Sequence, residues 1–294
     1  MKVVLILLAV CFILPGLIVG LLRFSQWKRR WRGQRPPFSE RMLRSPGEGL
    51  RREIQDLNDE ITAFMTSATI VPLLMTCVYL IRLMSDKEGS GTGNLLFILG
   101  LGFTGYLVWK VLKLFDRRRS LRIGLAGEMA TGEELNRLML DGYRVYHDFP
   151  AHRFNIDHIV VGASGVFAVE TKAYSKAGRG NRTAEATVTY DGENLRFPSW
   201  VTTEPIEQAK VQAAWLSKWL SGAVGDPVEV SPMVTIPGWF VERKSPSGIP
   251  VLNPKEVKAY LEGKHGAALS ESMIKRVCHQ LEQGCRDVDL RDWY

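Results

Sequence analysis

Residues 155–172, NIDHIVVGASGVFAVETK, constrain the fold of this 294-residue chain more than any other stretch. Two apolar, β-branched runs meet at Gly162-Ala163-Ser164-Gly165, the composition of two strands joined by a tight turn. A hairpin centred on Ala163 and Ser164 sets Asp157 opposite Glu170, with Cβ atoms about 5 Å apart. Like charges at that distance destabilise a strand pair unless something lies between them. A divalent cation meets that need, because hard cations take carboxylate oxygens. Glu170 and Lys172 share one strand face, which sets an amine beside the cation, an arrangement suited to phosphate chemistry. The plain alternative is a solvated strand end. Against it, the runs through Val160 and Val161 and through Phe167, Ala168 and Val169 are nearly continuous, as in strands covered on both faces. Carboxylates at the ends of such strands are costly without partners.

Three pieces occur in a fixed order: Gly124-Leu125-Ala126-Gly127-Glu128, then Ile156-Asp157-His158, then Phe167-Ala168-Val169-Glu170-Thr171-Lys172. Together they resemble the nuclease-related domain, the NERD family of the PD-(D/E)xK nuclease superfamily, over about residues 120–236. Ile156 stands where the superfamily carries proline. The resemblance implies an α/β fold, a restriction-endonuclease-like core with a central mixed sheet flanked by helices. It implies hydrolysis of DNA or RNA phosphodiesters with Mg²⁺ or Mn²⁺, DNA being the first expectation. Asp157, Glu170 and the main-chain carbonyl of Thr171 would hold the metal. Lys172 would orient or activate the attacking water and stabilise developing charge, and Glu128 would assist the metal directly or through water. Gln208, in the P-x-x-Q setting Pro205-Ile206-Glu207-Gln208, would sit near the scissile phosphate. Read without the resemblance, Glu128 is an ordinary acidic residue near a helix N-terminus, and Gln208 is an exposed helix residue.

A basic run follows Lys172. Lys176, Arg179 and Arg182 read either as a flexible solvated loop or as a lid that, with Lys210, contacts phosphates, and the lid is the expectation beside such a site. The net charge of +7 suits nucleic acid and an anionic membrane face alike. Apolar residues crowd into the chain before residue 116, and that crowding sets the class. Residues 3–22 carry no charge, residues 61–81 carry none, and residues 95–115 hold only Lys110 and Lys113 near their end. Each is long enough to span a bilayer. Residues 1–24, 61–83 and 95–115 therefore read as three transmembrane helices, a multi-pass anchor in membrane lipid. Ten Lys/Arg in residues 23–60 mark 25–60 as a cytoplasmic loop and leave the N-terminus outside. A buried helical hairpin is the other reading of the second and third segments. Gly100, Gly102 and Gly105 are candidates for a helix contact face.

Residues 120–294 read as a cytoplasmic nuclease-related domain with a helical extension. A helix from Glu128 is expected to turn Leu135, Leu138 and Met139 inward. One over 204–220 is expected to bury Val211, Ala214, Trp215 and Trp219. Residues 228–236 read as a strand that Trp239-Phe240-Val241 prolongs, and Asp287 opens a charged tail without a pattern. His147, His152 and His158 are weak candidates for a base. Spacing of the four cysteines favours neither zinc nor a disulfide framework. A tethered, non-catalytic binding module on the same fold is the alternative function. Oligomeric state is not legible.

Overall fold

The computed structural model describes Phe24 and residues 41–85, 91–176, 186–264 and 268–288. The expected first span at 1–24, apart from Phe24, lies outside the described residues, as do residues 25–40, Arg179 and Arg182. The chain divides into two compact units. Residues 56–117 belong to the first, and Glu40–Gln55 with Arg118–Asp289 form the second.

Strand β1 (Met42–Leu43) precedes two long helices, α1 (Glu48–Ser85) and α2 (Gly91–Asn136). Among the described residues these two helices are long and apolar enough to cross a membrane. Large apolar side chains stand exposed along them, among them Met65, Leu80, Ile98, Leu101 and Leu112. The Lys110 ammonium lies over the Phe64 ring and that of Lys113 over Trp109, as lysines at the end of an apolar segment do. Of the three glycines expected to form a contact face, Gly100 packs on Met75, whereas a Cβ at Gly102 or Gly105 would meet open space. The expected break after Phe115 is absent. Helix α2 runs through Asp116-Arg117-Arg118-Arg119 to Asn136, so the third expected span and the first expected domain helix are one element. No proline interrupts it, and the glycines cost a growing helix only about 1 kcal/mol each.

After a 3₁₀ turn at Arg137–Asp141 come β2 (Arg144–Pro150), β3 (Asn155–Gly162), β4 (Gly165–Thr171), β5 (Thr187–Tyr190), β6 (Leu195–Arg196) and β7 (Val201–Thr202). Then follow α3 (Glu204–Val224), β8 (Val230–Thr235), β9 (Phe240–Arg243), β10 (Val251–Leu252), α4 (Val257–Glu262), α5 (Glu271–Cys285) and β11 (Arg286–Val288). The central sheet is mixed, in the order β10-β8-β4-β3-β2, with β4 parallel to β8 and antiparallel to β3. On one face Ile159, Val161, Val166 and Ala168 pack against Ala213, Leu216 and Leu220 of α3 and Val277 and Leu281 of α5. On the other, Val160, Phe167, Val169 and Met233 meet Leu135, Leu138, Val257 and Leu261. The expected mixed sheet with helices on both sides is therefore present.

Four local expectations change. Met139 is exposed while Leu135 and Leu138 are buried, because the chain tightens into the 3₁₀ turn at Arg137. Helix α3 buries Ile206, Ala209, Gln212, Ala213, Leu216 and Leu220, leaving Val211 exposed. Residues 239–241 do not prolong β8. Pro237 and Gly238 turn the chain, and β9 joins a second sheet of order β7-β6-β5-β9. The charged tail carries β11, which pairs antiparallel with β1, so residues 41–60 are not all loop.

Candidate functional site

The hairpin register places the site. Pairs run from His158 with Val169 to Gly162 with Gly165, leaving Ala163 and Ser164 as the turn. Continued one step, that ladder brings Asp157 level with Glu170. Asp157 Oδ2 accepts a hydrogen bond from the Thr171 amide at 2.7 Å. Glu170 is 1% exposed, and each of its oxygens has a partner. Lys172 Nζ lies 2.9 Å from Oε1, and Gln212 Nε2 donates to Oε2 at 2.6 Å. The shared face expected for Glu170 and Lys172 is observed. Strand β8 pins the turn beyond them: the Lys172 amide donates to the Thr235 carbonyl at 3.0 Å, and the Thr171 and Thr235 hydroxyls lie 3.1 Å apart.

Glu128 reaches the same region from α2 and is buried. Gly127 explains how the helix comes so close. A Cβ there would stand 2.4 Å from Ala173 Cβ, so a side chain would push α2 away from the segment that carries Lys172.

The electrostatics are those of crowded carboxylates. Burial, then Asp148 and Glu170, pushes the Glu128 carboxyl up to about 8. Burial, then Glu170 and Glu128, holds Asp157 well above the ordinary carboxylate range. Glu170 is raised by burial in spite of Lys172 and Gln212. Burial would lower Lys172, but Glu170 and then Asp157 carry it above its ordinary value, so it is a cation at neutral pH. Three acids thus face one ammonium.

That donor set fits a hard divalent cation. Each oxygen of Glu170 keeps a further lone pair beyond its one hydrogen bond. The Gln212 Oε1 atom is buried without a hydrogen-bond partner, a polar atom a cation or its water would satisfy. Among the described residues no three Asp, Glu, His or Cys side chains form a ready-made cluster. Asp157 and Glu170 would supply two carboxylates, with Glu128, the main chain, an amide or water left to complete the set.

Gln212 is the residue that sequence reasoning missed. Gln208 is only partly buried, one helical turn earlier on α3, and Gln212 holds Glu170. A correct helix phase was the signal, since Ala209, Gln212, Leu216 and Leu220 fall on one buried stripe. Asp148 was missed as well. It lies between the pairs His147–His158 and Phe149–Ile156, opposite Asp157, yet takes a left-handed φ of 49°. Its carboxylate accepts from the Gly49 amide, Arg44 and Asn155. Lys176 is exposed, and Lys210 pairs at 3.0 Å with exposed Glu207. His147 and His158 are buried with Nδ1 atoms 2.9 Å apart, and burial lowers both, His147 to about 4. They stay neutral beneath the site, and His152 is exposed.

Neither the curated proteins nor the solved structures yield a match to this chain. A family model does: that of the nuclease-related domain, NERD, matches residues 123–237, the segment that contributes Glu128, Asp157, Glu170, Lys172 and Gln212.

Proposed function

We propose that this domain is a divalent-metal-dependent nuclease on a restriction-endonuclease-like core, hydrolysing phosphodiester bonds of DNA ahead of RNA. The observation that carries this reading is the arrangement of Asp157 on the Thr171 amide and buried Glu170 between the Lys172 ammonium and Gln212, with buried Glu128 close enough to act on the other two acids. Asp157 and Glu170, with the Thr171 carbonyl, would hold Mg²⁺ or Mn²⁺, and Glu128 would act on it directly or through water. A bound divalent ion supplies charge neutralisation at the phosphate and a more acidic water. The chain's own residues do the rest. Gln212 fixes the Glu170 carboxylate. Lys172, being a cation, stabilises negative charge gathering on the phosphate oxygens and does not serve as a base.

The test joins metal and pH. Without metal, Glu128 keeps its proton to about pH 8 in the folded chain and loses it near 4.5 when unfolded. The folded chain then binds more protons across that window, so its stability falls as pH rises from about 4.5 to about 8. Mn²⁺ should restore the melting temperature, and more at pH 8 than at pH 6, because ligands must be deprotonated. Glu170→Gln should remove most of that gain, and Asp157→Ala should abolish Mn²⁺-dependent cleavage. An equal thermal gain in wild type and Glu170→Gln would place the ion elsewhere.

The tether is part of the proposal. Helix α1 exposes apolar side chains between Met65 and Leu80, and α2 between Leu95 and Leu112, a surface that lipid would cover. Glu40–Gln55 and Arg118–Asp289 belong to one compact unit, and the proposal puts both on one side of the membrane. The basic excess before α1 makes that side cytoplasmic. A reporter fused at Ser90 should read external and one at Tyr294 cytoplasmic; a cytoplasmic signal at Ser90 refutes the spanning pair.

A further inference from the structure

The nuclease reading leaves a group of aromatic rings without a role. Tyr174 lies two residues past Lys172. Its ring meets Phe197 and Trp200 edge to face, with centroids 4.8 and 4.7 Å away. Phe197 and Trp200 are stacked, 4.0 Å apart with 10° between their planes. Trp239 closes on Phe197 at 5.0 Å and donates Nε1 to the Tyr174 carbonyl at 3.1 Å. Phe197 and Trp239 are buried and complete the core of the smaller sheet. Trp200 is 38% exposed and Val201 beside it 51%. A ring backed by a stacked, buried ring is already ordered, so contact on its free side costs little conformational entropy.

The rings adjoin the charged site. Burial raises the Tyr174 hydroxyl, and Lys172, Glu204 and Glu170 all act on it. Arg196, level with Val201 in the β6–β7 pair, is more than half exposed and shares its charge with Asp191 at 3.1 Å.

We propose that Trp200, backed by Phe197 and flanked by Tyr174, is a stacking platform for an unpaired base beside the phosphodiester to be cut, so that the substrate is single-stranded or frayed nucleic acid. Within a duplex the bases cover one another's faces, and only an unpaired or extruded base offers a ring face to a side chain. Stacking of this kind tolerates any sequence, because every base has a π-face. Placing the base beside the cut rests on the nuclease reading, whereas the stacking itself does not.

The test uses the full chain in detergent micelles with Ca²⁺, titrated into a labelled oligothymidylate and into a blunt duplex of equal length. Trp200→Ala should weaken oligothymidylate binding about ten- to hundred-fold and leave duplex binding, dominated by phosphate contacts, unchanged. Trp200→Phe should retain binding. Trp200→Leu keeps apolar cover over Phe197 without a π-face, and should lose binding as Trp200→Ala does. Oligothymidylate binding that is indifferent to Trp200→Ala overturns the platform, as does an equal loss on both nucleic acids. So does full binding by Trp200→Leu, or a loss in Trp200→Ala confined to lipid vesicles. Cleavage reports separately. A wild type that binds through Trp200 but cuts nothing in Mn²⁺ keeps the platform and sinks the nuclease. One that cuts duplex and single strand alike, with or without Trp200, does the reverse.

Discussion

Lys172→Ala is expected to lose on the order of 10²–10³ in single-turnover cleavage rate while keeping most nucleic-acid affinity. Lys172 Nζ is fixed 2.9 Å from Glu170 and its side chain is 27% exposed, so the amine is held by the site yet open to a phosphate. In the proposed reaction its charge would count most where the attacking water and the non-bridging oxygens gather negative charge, in surroundings whose burial weakens screening. Nucleic-acid binding in the ground state would draw on many phosphate contacts and barely depend on one of them. Lys172→Arg should also be poor. A guanidinium is bulkier than an ammonium, and Gly127 shows that Ala173, next in the chain, is already in tight contact with α2. The measurement is cleavage of labelled DNA and RNA at saturating protein in Mn²⁺, beside a binding titration in Ca²⁺. A Lys172→Ala protein that cuts as fast as wild type would refute the role given to this residue. A wild type that binds but never cuts would favour the tethered binding module.

The parts of the site carried by short-range pattern were legible in the sequence. Glycines at 162 and 165 bracket a two-residue turn, and strand register follows from the turn, so Asp157 and Glu170 could be set level by counting. Their strands read as doubly covered because nearly every position is apolar, and helices do cover both faces. The parts that failed depend on choices pattern cannot make. In α3 the large rings of Trp215 and Trp219 drew the expected stripe toward themselves. Both do touch Phe149, but at the edge of the core, and the buried line runs through the smaller Ala209 and Ala213. That phase error hid Gln212. The pairing of β1 with β11 joins segments more than two hundred residues apart and only two or three residues long. Nothing so short has a readable period. The helix that runs unbroken through residue 116 shows the converse limit, where a charge run marks a change of surroundings without ending the element.

Arg44 is expected to be worth more to the folded domain than its place before the first described apolar helix implies. Its guanidinium spans two acids, 2.9 Å from Asp148 and 2.6 Å from Asp287, and its side chain is only 10% exposed. The Asp287 hydrogen bonds, against burial, hold its pKa above the ordinary value. Asp148 needs this partner twice over. It is buried, and it keeps a left-handed φ of 49°, a conformation that costs a non-glycine residue about 1–2 kcal/mol. The same carboxylate accepts from Asn155, the Asn155 carbonyl accepts from Gln212 at 3.3 Å, and Gln212 holds Glu170. A continuous polar chain therefore runs from the segment before α1 to the carboxylate beside Lys172. Removing one member of a buried pair leaves an uncompensated charge and costs about 3–5 kcal/mol. Arg44→Met should destabilise by about that much, and cleavage should fall even at temperatures where the chain stays folded, because Gln212 loses its support. Asp148→Asn in the same chain should recover part of the loss, since the stranded charge is then gone. The double-mutant cycle, read by thermal denaturation and single-turnover cleavage, decides the matter. Strictly additive losses would show that Arg44 and Asp148 do not work as a pair, and a neutral Arg44→Met would show that residues 40–55 lie against the nuclease-related domain without supporting it.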